Sequence, residues 1–471
     1  MVSKYNVTIG IEIHLELNTK TKMFSNALND FNSIENENVN FVDIAYPGTM
    51  PTVNKEAVIK AIKLAKALNM EIDDYLAFDR KNYYYPDLPK GFQITQQFRP
   101  IGKNGTVKIK NKDVEKVIEV ERIHLEEDTA KQIHKDDLTL LNYNRAGVPL
   151  IEIVTKPVIK SANEAAEYVS EIIKIAKFLN ISDAKLEEGS LRADINLSIS
   201  EDKDKLGVKV EIKNINSLNN IKKSIELEVK EQIKKLENKV EILQQTKRFD
   251  DNLQQNIVMR EKTDGIDYRY FPEPNIPMMK LTKDFVDSIK IEKMHWEWVE
   301  EYKNLGISDK FIEQLINDLD LLNFFEQINF SDKSKSVKFL FSEIVPLIKV
   351  YDYKNLKISA SNIREILELE AKNKISSKQA KELVVYKNNE DLTINELVDK
   401  YNIKQLENDD QIKEIIDELI KENSEIVQEY TTRKERVLKF LLGQIMKKTK
   451  GSANPQLANK ILNNILEKMF K

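Results

Sequence analysis

Residues 7–17 read VTIGIEIHLEL, and this stretch decides the fold of the N-terminal part of the chain. Every odd position from 7 to 17 is apolar, whereas three of the even positions carry Glu12, His14 and Glu16. Successive side chains of a strand point to opposite faces of a sheet. The stretch therefore predicts a strand with one buried apolar face and one face lined by ionisable groups.

The surrounding segments extend this strand into a sheet flanked by helices. Helices are predicted over residues 54–70, with Asn54 as N-cap, over 161–179, where Ser161 and Glu164 have capping-box spacing, and over about 218–236. Further strands are predicted at residues 117–125, 150–154, 191–199 and 208–212. The sequence indicates an α+β domain, built around a mostly antiparallel sheet, over residues 1–290.

The rest of the chain has a helical pattern throughout. We expect one all-helical domain over residues 291–403 and a helical tail over 404–471. The tail contains an amphipathic stretch at 436–448, followed by a break that reads KGSANP at 450–455.

Composition excludes several classes of protein. No run approaches 18 apolar residues and the N-terminus has no continuous apolar signal region, so we expect a cytoplasmic protein without a membrane partner. The absence of cysteine removes disulfides, thiolate zinc sites and cysteine nucleophiles. A net charge of −4 means that a nucleic acid would have to be bound by local basic patches.

Two kinds of catalytic motif are missing. The sequence has neither a GxxxxGK[ST] phosphate loop nor a GxGxxG turn after a strand, so nucleotide binding would need a site built on the sheet. It also has no recognisable glutaminase nucleophile, so any ammonia would have to come from a partner.

The polar faces of the predicted strands carry the candidate chemistry. Each strand presents acidic groups in or beside it, and Glu152 interrupts the apolar run PLIEIV, where burial of a carboxylate is costly unless it is paired or metal-bound. If these faces converge, they form an acidic surface suited to Mg²⁺ and to a transferring phosphoryl group. The other polar residues on these strands or beside them are His124, Glu126, Glu127, Asp128, Arg192, Asp194, Asn196, Lys209, Glu211 and Lys213.

Each of these features has a simpler explanation. A polar strand face can merely be solvated, Glu152 can form a buried salt bridge, and Arg192 can bridge to Asp194 as a structural pair. The convergence of several strands favours the functional interpretation.

Long ordered motifs then identify a family. The chain resembles the B subunit (GatB) of aspartyl/glutamyl-tRNA amidotransferases, and the likeness extends into the tail at LGQIMK (442–447) and GSANP (451–455). The motifs that carry it in the first domain are IGIEIHLEL (9–17), YPGTMP (46–51), RKNYYYPDLPKGFQITQ (80–96), IHLEED (123–128), NRAGVPLIEIV (144–154), EGSLRAD (188–194), VEIKNINS (210–217) and DYRYFPEP (267–274).

This resemblance implies a cradle similar to glutamine synthetase, then a helical domain, then a tail that meets tRNA. It implies a carbon–nitrogen ligase with glutamine as amido donor, which uses ATP and Mg²⁺ to phosphorylate the side-chain carboxylate of misacylated Glu-tRNA(Gln) and/or Asp-tRNA(Asn). Ammonia would come through a tunnel from an amidase (glutaminase) partner, the A subunit, and a small C subunit would complete a heterotrimer.

The resemblance also implies roles for individual residues. Glu12, His14, Glu127 and Glu152 are the expected metal and catalytic group, with Asp194 and Glu211 as further catalytic residues, and Lys90, in the PKGFQ motif, is expected to line the tunnel. The alternation along strand 117–125 instead favours Glu126, beside His124, so the choice between Glu126 and Glu127 stays open. Independently of the resemblance, Arg192 is expected to be catalytic and, with Lys213, to bind the nucleotide, because such cations neutralise the charge of a transferring phosphoryl group.

The tail supplies the expected tRNA contacts. Its cations cluster around the amphipathic helix and the following turn, where exposed backbone N–H groups would suit phosphates; they are Lys439, Lys447, Lys448 and Lys450. A solvated helix face is the alternative.

Two other functions are compatible with an acidic cradle. A free-standing glutamine-synthetase-like ligase would not need the helical third of the chain, and a non-catalytic tRNA-binding scaffold would not need an intact set of carboxylates. The ATPase response to misacylated tRNA and Mg²⁺-dependent nucleotide binding distinguish these alternatives. The sequence does not decide which misacylated tRNA is the substrate.

Overall fold

The computed structural model describes residues 4–30, 33–111, 114–261, 267–403, 409–449 and 452–470. The chain divides into two compact units, Met1–His295 and Trp296–Lys471. Among the described helices, none is long and apolar enough to cross a membrane. The further division of the helical region near residue 404 stays a prediction, and that boundary falls outside the described residues.

The first unit contains sixteen strands in its described part. They are β1 Asn6–Glu16, β2 Glu71–Ile72, β3 Tyr75–Leu76, β4 Asp79–Asn82, β5 Phe92–Thr95, β6 Gly102–Asn111, β7 Val114–Glu127, β8 Lys131–Lys135, β9 Leu138–Asn142, β10 Pro149–Thr155, β11 Leu191–Ser200, β12 Val210–Ile215, β13 Gln245–Asp250, β14 Gln255–Glu261, β15 Phe271–Pro272 and β16 Met279–Lys280. Its helices are α1 Lys55–Ala67, α2 Ala162–Phe178, α3 Leu218–Glu237 and α4 Lys283–Ser288.

Nine of the described strands form one sheet in the order β14-β13-β12-β11-β1-β10-β7-β6-β2. Every neighbouring pair is antiparallel except β12 and β13, which run parallel. The predicted α+β class with a mostly antiparallel sheet is therefore confirmed. Smaller sheets join β15-β4-β5, β16-β3 and β8-β9.

The predicted alternation along the first strand places β1 at the centre of this sheet. Ile9, Ile11, Ile13 and Leu15 are at most 1% exposed. Helices α1, α2 and α3 form a layer against the sheet, with α1 on β7, α2 on β6 and α3 on β11. Burial of this apolar face supplies much of the driving force for folding, and the polar face stays available for a site.

The helix starts agree with the sequence. The Asn54 side chain accepts hydrogen bonds from the backbone N–H groups of Glu56 and Ala57 at the start of α1. Ser161 caps α2 by accepting from Glu164 N at 3.2 Å. The reciprocal half of the expected capping box is replaced, because the Glu164 carboxylate accepts from Lys160 N instead, at 2.8 Å.

One strand begins later than expected. Residues 208–212 were predicted as a strand, but β12 starts at Val210. Gly207 lies so close to β11 that a Cβ atom there would stand 2.0 Å from the carbonyl oxygen of Ile199. Residues 206–209 thus form a tight connection, and Lys209 lies outside the strand.

The remainder of the chain is helical, as expected. Its helices are α5 His295–Asn304, α6 Asp309–Asn317, α7 Leu319–Ile328, α8 Lys333–Phe339, α9 Val345–Tyr351, α10 Ala360–Ala371, α11 Ser377–Asn389, α12 Ile394–Lys400, α13 Asp409–Glu422, α14 Ser424–Gln428, α15 Lys434–Lys448 and α16 Pro455–Met469. Helices α13, α15 and α16 share a hydrophobic cluster of their own, which includes Ile416, Leu441 and Leu462.

Candidate active site

Strand pairing brings polar side chains from four strands into one row across the sheet. His14 lies opposite Arg192 of β11 on one side and opposite Glu152 of β10 on the other, and Glu152 lies opposite His124 of β7. Residues directly opposite each other share a face of the sheet. The row therefore runs Arg192, His14, Glu152, His124 along the face away from the apolar core.

A first cluster of possible metal ligands forms around His14. His14 Nε2 lies 3.7 Å from Glu126 Oε1 and 3.6 Å from Glu152 Oε2. One ligand atom from each of these three residues lies within 4.8 Å of the others. His124 closes the cluster, with its Nε2 atom 3.2 Å from Glu152 Oε2.

A second cluster lies beside the first. Glu12 is opposite Asp194 in the pairing of β1 with β11, and Glu211 joins them from β12, again with ligand atoms within 4.8 Å. Lys213 Nζ donates to Asp194 Oδ2 at 2.5 Å and lies 3.1 Å from Glu211 Oε1. Asn196 Nδ2 donates to Glu12 Oε1 at 2.8 Å, so each carboxylate is positioned by a neighbour.

The crowding of charge shifts the pKa values of these groups. Burial, followed by the charges of Glu152 and Asp194, raises the pKa of Glu12. Burial raises the pKa of Glu152, but His124 and His14 outweigh it and hold that pKa well below its usual range. Burial lowers the pKa of His124, whereas Glu152 and Glu126 outweigh it and raise the pKa to about 9. The cluster thus combines repelling carboxylates with cations that compensate them.

Arg192 pairs with Asp128 and not with Asp194, the partner that the structural explanation of the sequence pattern predicted. Its Nη2 atom donates to Asp128 Oδ2 at 2.8 Å, while Asp194 is held by Lys213. Arg192 and Asp194 lie two residues apart on one strand, and each side chain reaches across to a neighbouring segment instead. The Nε atom of Arg192 is buried and has no hydrogen-bond partner in the described part of the chain.

The structure brings Glu126, and not Glu127, to His14 and Glu152. Consecutive strand residues point to opposite faces, so Glu127 leaves the row and pairs with Lys90, while also accepting from Ile94 N at 3.0 Å. The expectation that Glu127 lies with His14 and Glu152 is therefore corrected: Glu126 takes that position. Lys90 belongs to a buried group of charges with Glu127, Lys22 and Asp43, and its tunnel role stays a prediction.

The tail lysines differ in their surroundings. Lys439 and Lys447 are exposed, and no described carboxylate lies within ion-pair distance of them. Lys448 is paired with Glu418 at 2.7 Å and with Glu422 at 3.3 Å. Lys450 lies outside the described residues.

Several residues that line the cleft were not expected from the sequence. A cavity of about 500 Å³ beside the first cluster is lined by Lys81, Tyr83 and Gln93 together with His14, Glu126 and Arg192. Lys81 and Tyr83 stand in the conspicuous run RKNYYYP at 80–86, which is the signal that could have identified them.

Comparison with known proteins gives consistent matches along the chain. The family model described as "GatB/GatE catalytic domain" matches residues 7–287, and the one described as "GatB domain" matches residues 323–466.

Curated relatives match over their full length. Proteins named as the B subunit of aspartyl/glutamyl-tRNA(Asn/Gln) amidotransferase are similar to this chain in Mycoplasmopsis agalactiae, at 51% identity with 100% of both chains covered, and in Mycoplasma mobile, at 50% identity with the same coverage. The protein of that name in Mycoplasmopsis synoviae is 49% identical over 99% of both chains. This chain belongs to the GatB family of amidotransferase B subunits.

Proposed function

We propose that this chain carries out the ATP-dependent transamidation of misacylated Glu-tRNA(Gln) and/or Asp-tRNA(Asn). The observation that carries the proposal is the pair of adjoining ligand clusters, His14-Glu126-Glu152 and Glu12-Asp194-Glu211, on one face of the central sheet. Membership of the GatB family and the names of the relatives support the same activity.

The donor set of the two clusters fits Mg²⁺. Five of the six ligands are carboxylates, hard oxygen donors of the kind that Mg²⁺ prefers, and one is an imidazole. Burial and the repulsion from Glu152 and Asp194 raise the pKa of Glu12, a cost that a bound cation would relieve. When bound there, Mg²⁺ would offset the negative charge of a polyphosphate and of the incoming carboxylate.

The side chains of this protein would then hold the reacting groups in two successive steps. In the first, an oxygen of the aminoacyl side-chain carboxylate attacks the γ-phosphorus of ATP, the bond to the β–γ bridging oxygen breaks, and ADP leaves. Arg192 and Lys213 line the cavity and have partly exposed side chains, so they lie where they can donate hydrogen bonds to the phosphate oxygens. Cations held in this way stabilise the charge that spreads over a transferring phosphoryl group.

In the second reaction, the nitrogen of ammonia attacks the acyl carbon of the acyl phosphate. The bond from that carbon to the phosphate oxygen breaks, inorganic phosphate leaves, and the excess proton on nitrogen passes to solvent. Fixed donors in the cleft assist both steps because they need no reorganisation as the charge moves.

A smaller cleft next to Glu12 suits the nucleoside end of ATP. It has a volume of about 200 Å³ and a mainly apolar lining, to which Ile11, Val154 and Leu206 contribute. Gly10, which lies on the same face of β1 as Glu12, also lines it and leaves room where a side chain would stand. Since Glu12 lines this cleft and belongs to the second ligand cluster, a nucleotide here would direct its phosphates toward the carboxylates.

We propose further that the chain acts in a complex with an amidase partner, the A subunit, which releases ammonia from glutamine, and with a small C subunit. The word "subunit" in the names of the relatives supports this. Lys90, paired with Glu127 below the polar row, is proposed to line the path of ammonia.

Glu152→Gln tests the proposal, because it removes one charge from the first cluster while keeping the size of the side chain. We expect Mg²⁺- and ATP-dependent amidation to fall by ~10²-fold or more, with glutaminase activity of the assembled complex largely retained. Amidation of each misacylated tRNA by the co-expressed complex is the measurement.

Glu115→Gln, an exposed position on the same strand as Glu126, is the matched control and should be active. Near-normal amidation by Glu152→Gln, at unchanged melting temperature, would contradict the assignment. ATP hydrolysis stimulated by free glutamate but not by misacylated tRNA would indicate a free-standing ligase. A lack of Mg²⁺-dependent nucleotide binding would indicate a scaffold.

A further inference from the structure

Two residues that line the active-site cleft, a lysine and a tyrosine, contact two further tyrosines, the second through the first. Lys81 and Tyr83 line the same cavity as His14, Glu126 and Arg192. Tyr268 packs against Tyr83 with ring centroids 6.0 Å apart, and Tyr270 against Tyr268 at 5.9 Å. We call these four residues, Lys81, Tyr83, Tyr268 and Tyr270, the tyrosine wall.

Lys81 differs from the other cations of the cleft. The guanidinium of Arg192 is held by Asp128 at 2.8 Å, and the ammonium of Lys213 by Asp194 at 2.5 Å. Within the described residues, Lys81 has no carboxylate at ion-pair distance and no hydrogen-bond acceptor. Its ammonium instead lies 4.9 Å from the ring centroid of Tyr268 and 6.0 Å from that of Tyr83. Aromatic faces orient a cation but leave its N–H donors unused.

The backbone around Lys81 is firmly fixed. Strand β4 lies between β5 and β15, with Lys81 opposite Gln93. The preceding residue, Arg80, grips Glu273 through Nε at 2.6 Å and Nη2 at 3.0 Å. The following residue, Asn82, donates through Nδ2 to the carbonyl oxygens of Tyr268, at 3.1 Å, and Arg269, at 2.7 Å. These hydrogen bonds hold residues 268–273, which include Tyr268 and Tyr270, against β4.

The charge of Lys81 is maintained by the carboxylates of the first ligand cluster. Burial lowers the pKa of Lys81, but Glu126, Tyr270 and Glu152 outweigh it and raise the pKa above its ordinary value. Glu126 and Glu152 affect the pKa of Lys81 through their charges alone, because neither carboxylate lies within ion-pair distance of its ammonium. A charged ammonium with unused donors therefore faces the proposed metal ligands across the cleft.

We infer that Lys81, held by the tyrosine wall, forms an anion subsite for the phosphoryl group that moves from ATP to the substrate carboxylate. This inference rests on the proposed function, and it assigns Lys81 a direct contact with the reacting phosphate. As the bond from phosphorus to the bridging oxygen of ADP breaks and the bond to the carboxylate oxygen forms, Lys81 donates to a peripheral phosphoryl oxygen. It keeps that contact when ammonia displaces the group as inorganic phosphate.

Lys81→Met tests the subsite, because it removes the charge and keeps the apolar stem. We expect kcat for amidation to fall by ~10²-fold or more at saturating tRNA, with an unchanged melting temperature. Lys108→Met is the matched control, since Lys108 is an exposed lysine on β6 of the same unit, and it should leave kcat unchanged. Tyr268→Leu, which removes the ring nearest to the ammonium, should lower kcat by a smaller factor of about 3–10, in line with the strength of a cation–π contact.

The absence of cysteine allows the missing ammonium to be restored chemically. In the Lys81→Cys variant the introduced thiol is the only one in the chain. Alkylation of the purified variant with 2-bromoethylamine, before assembly with its amidase and small partners, places an ammonium at nearly the reach of lysine. We expect kcat to rise at least tenfold, whereas alkylation with iodoacetamide, which adds a neutral amide, should give no recovery.

The possible outcomes separate the subsite from the function on which it rests. An active wild-type complex with a Lys81→Met kcat within about twofold would overturn the subsite alone. Loss of activity with a lowered melting temperature, and no recovery after aminoethylation, would also overturn it, because Lys81 would then be structural. A wild-type complex without Mg²⁺-ATP-dependent amidation would contradict the proposed function, and the subsite with it.

Discussion

At the scale of single residues, Arg192 shows how a strand position can serve two purposes. Its Nη2 atom donates to the buried Asp128. Burial alone would raise the pKa of Asp128, but the charges of Arg192 and Arg145 outweigh burial and hold that pKa below its usual value. The Arg192 side chain is nevertheless 35% exposed, which leaves part of the guanidinium accessible to a ligand. A planar guanidinium can hold a carboxylate and still direct a second donor at a ligand, whereas an ammonium has no such fixed fork.

Arg192→Lys should therefore lower kcat for amidation by about tenfold or more, even though it conserves the charge. If Arg192 binds phosphate, the loss will appear in kcat or in ATP affinity at an unchanged melting temperature. Arg248→Lys, at a partly exposed arginine paired with Asp250, is the control. A lowered melting temperature with normal kinetics would show that the bridge to Asp128 is the whole role of Arg192.

The choice between Glu126 and Glu127 was also decided at this scale. Alternation along β7 favoured Glu126, whereas the motif favoured Glu127, and the structure places Glu126 beside His14. Strand parity was sufficient because the pairing of β7 with β10 stays in register from Pro149 to Val154 and shifts only beyond it. The tyrosine wall could not be predicted in this way, since Tyr268 meets Lys81 through a long-range contact that leaves no periodic signal.

At the scale of elements, long strands and helices with strong periodicity were predictable and short or polar ones were not. Of the strands that build the site, β1, β10 and β11 were predicted within one residue at each end. Strand β7 was predicted over 117–125 but spans Val114–Glu127, and β12 was predicted over 208–212 but spans Val210–Ile215. Strand β13, by contrast, carries the polar sequence QTKRFD and is nevertheless largely buried. It lies between β12 and β14 in the sheet, and Lys247 pairs with Glu228 of helix α3. This tertiary context overrides a sequence without apolar alternation.

The contact between α3 and β13 contains a buried ion pair. Lys247 on β13 and Glu228 on α3 are each 1% exposed in their side chains and lie 2.8 Å apart, and Lys247 also donates to Glu231 at 2.8 Å. Lys247→Met should lower the free energy of unfolding by about 3–5 kcal/mol, because Glu228 would remain as a buried charge without its partner.

Denaturant unfolding of the full chain measures this effect. The double variant Lys247→Met/Glu228→Met removes both charges and should recover most of the loss, since apolar replacements of a buried ion pair are often neutral. A single variant within about 1 kcal/mol of the parent, on the scale of an exposed pair, would show that the pair contributes little.

At the scale of the whole molecule, the predicted tRNA-binding role of the tail depends on how its helices pack and on which of its lysines are unpaired. Helices α13, α15 and α16 enclose their own hydrophobic cluster, in which Ile412, Ile445 and Leu466 are fully buried. Lys439 and Lys447 project from α15 without an ion-pair partner in the described residues, whereas the charge of Lys448 is already met by two glutamates. Lys439 and Lys447 are therefore better candidates for phosphate contacts than Lys448, although the sequence gave no reason to distinguish them.

Deletion of residues 404–471 should raise KM for the aminoacylated tRNA and flatten the dependence of binding on salt, because fewer phosphates are then neutralised. In the full chain, Lys439→Ala/Lys447→Ala should reduce the slope of log K against log salt by roughly 0.7–0.9 per contact, and Lys448→Ala by less. Filter binding across a salt series is the measurement. If the truncated protein binds tRNA with unchanged affinity and slope, the tail is only a helical appendage and the RNA contacts lie elsewhere in the chain.

The alternation along β1 also restricts which sequence changes the site can tolerate. Glu12 and His14 occupy even positions, and the residues that hold the sheet together occupy the odd ones. Substitutions at single positions alter one face at a time, but insertion or deletion of one residue within β1 would exchange the two faces, burying the carboxylates and exposing the isoleucines. We therefore expect this strand to tolerate replacements but not changes of length, and insertions or deletions to be tolerated only in the connections between strands.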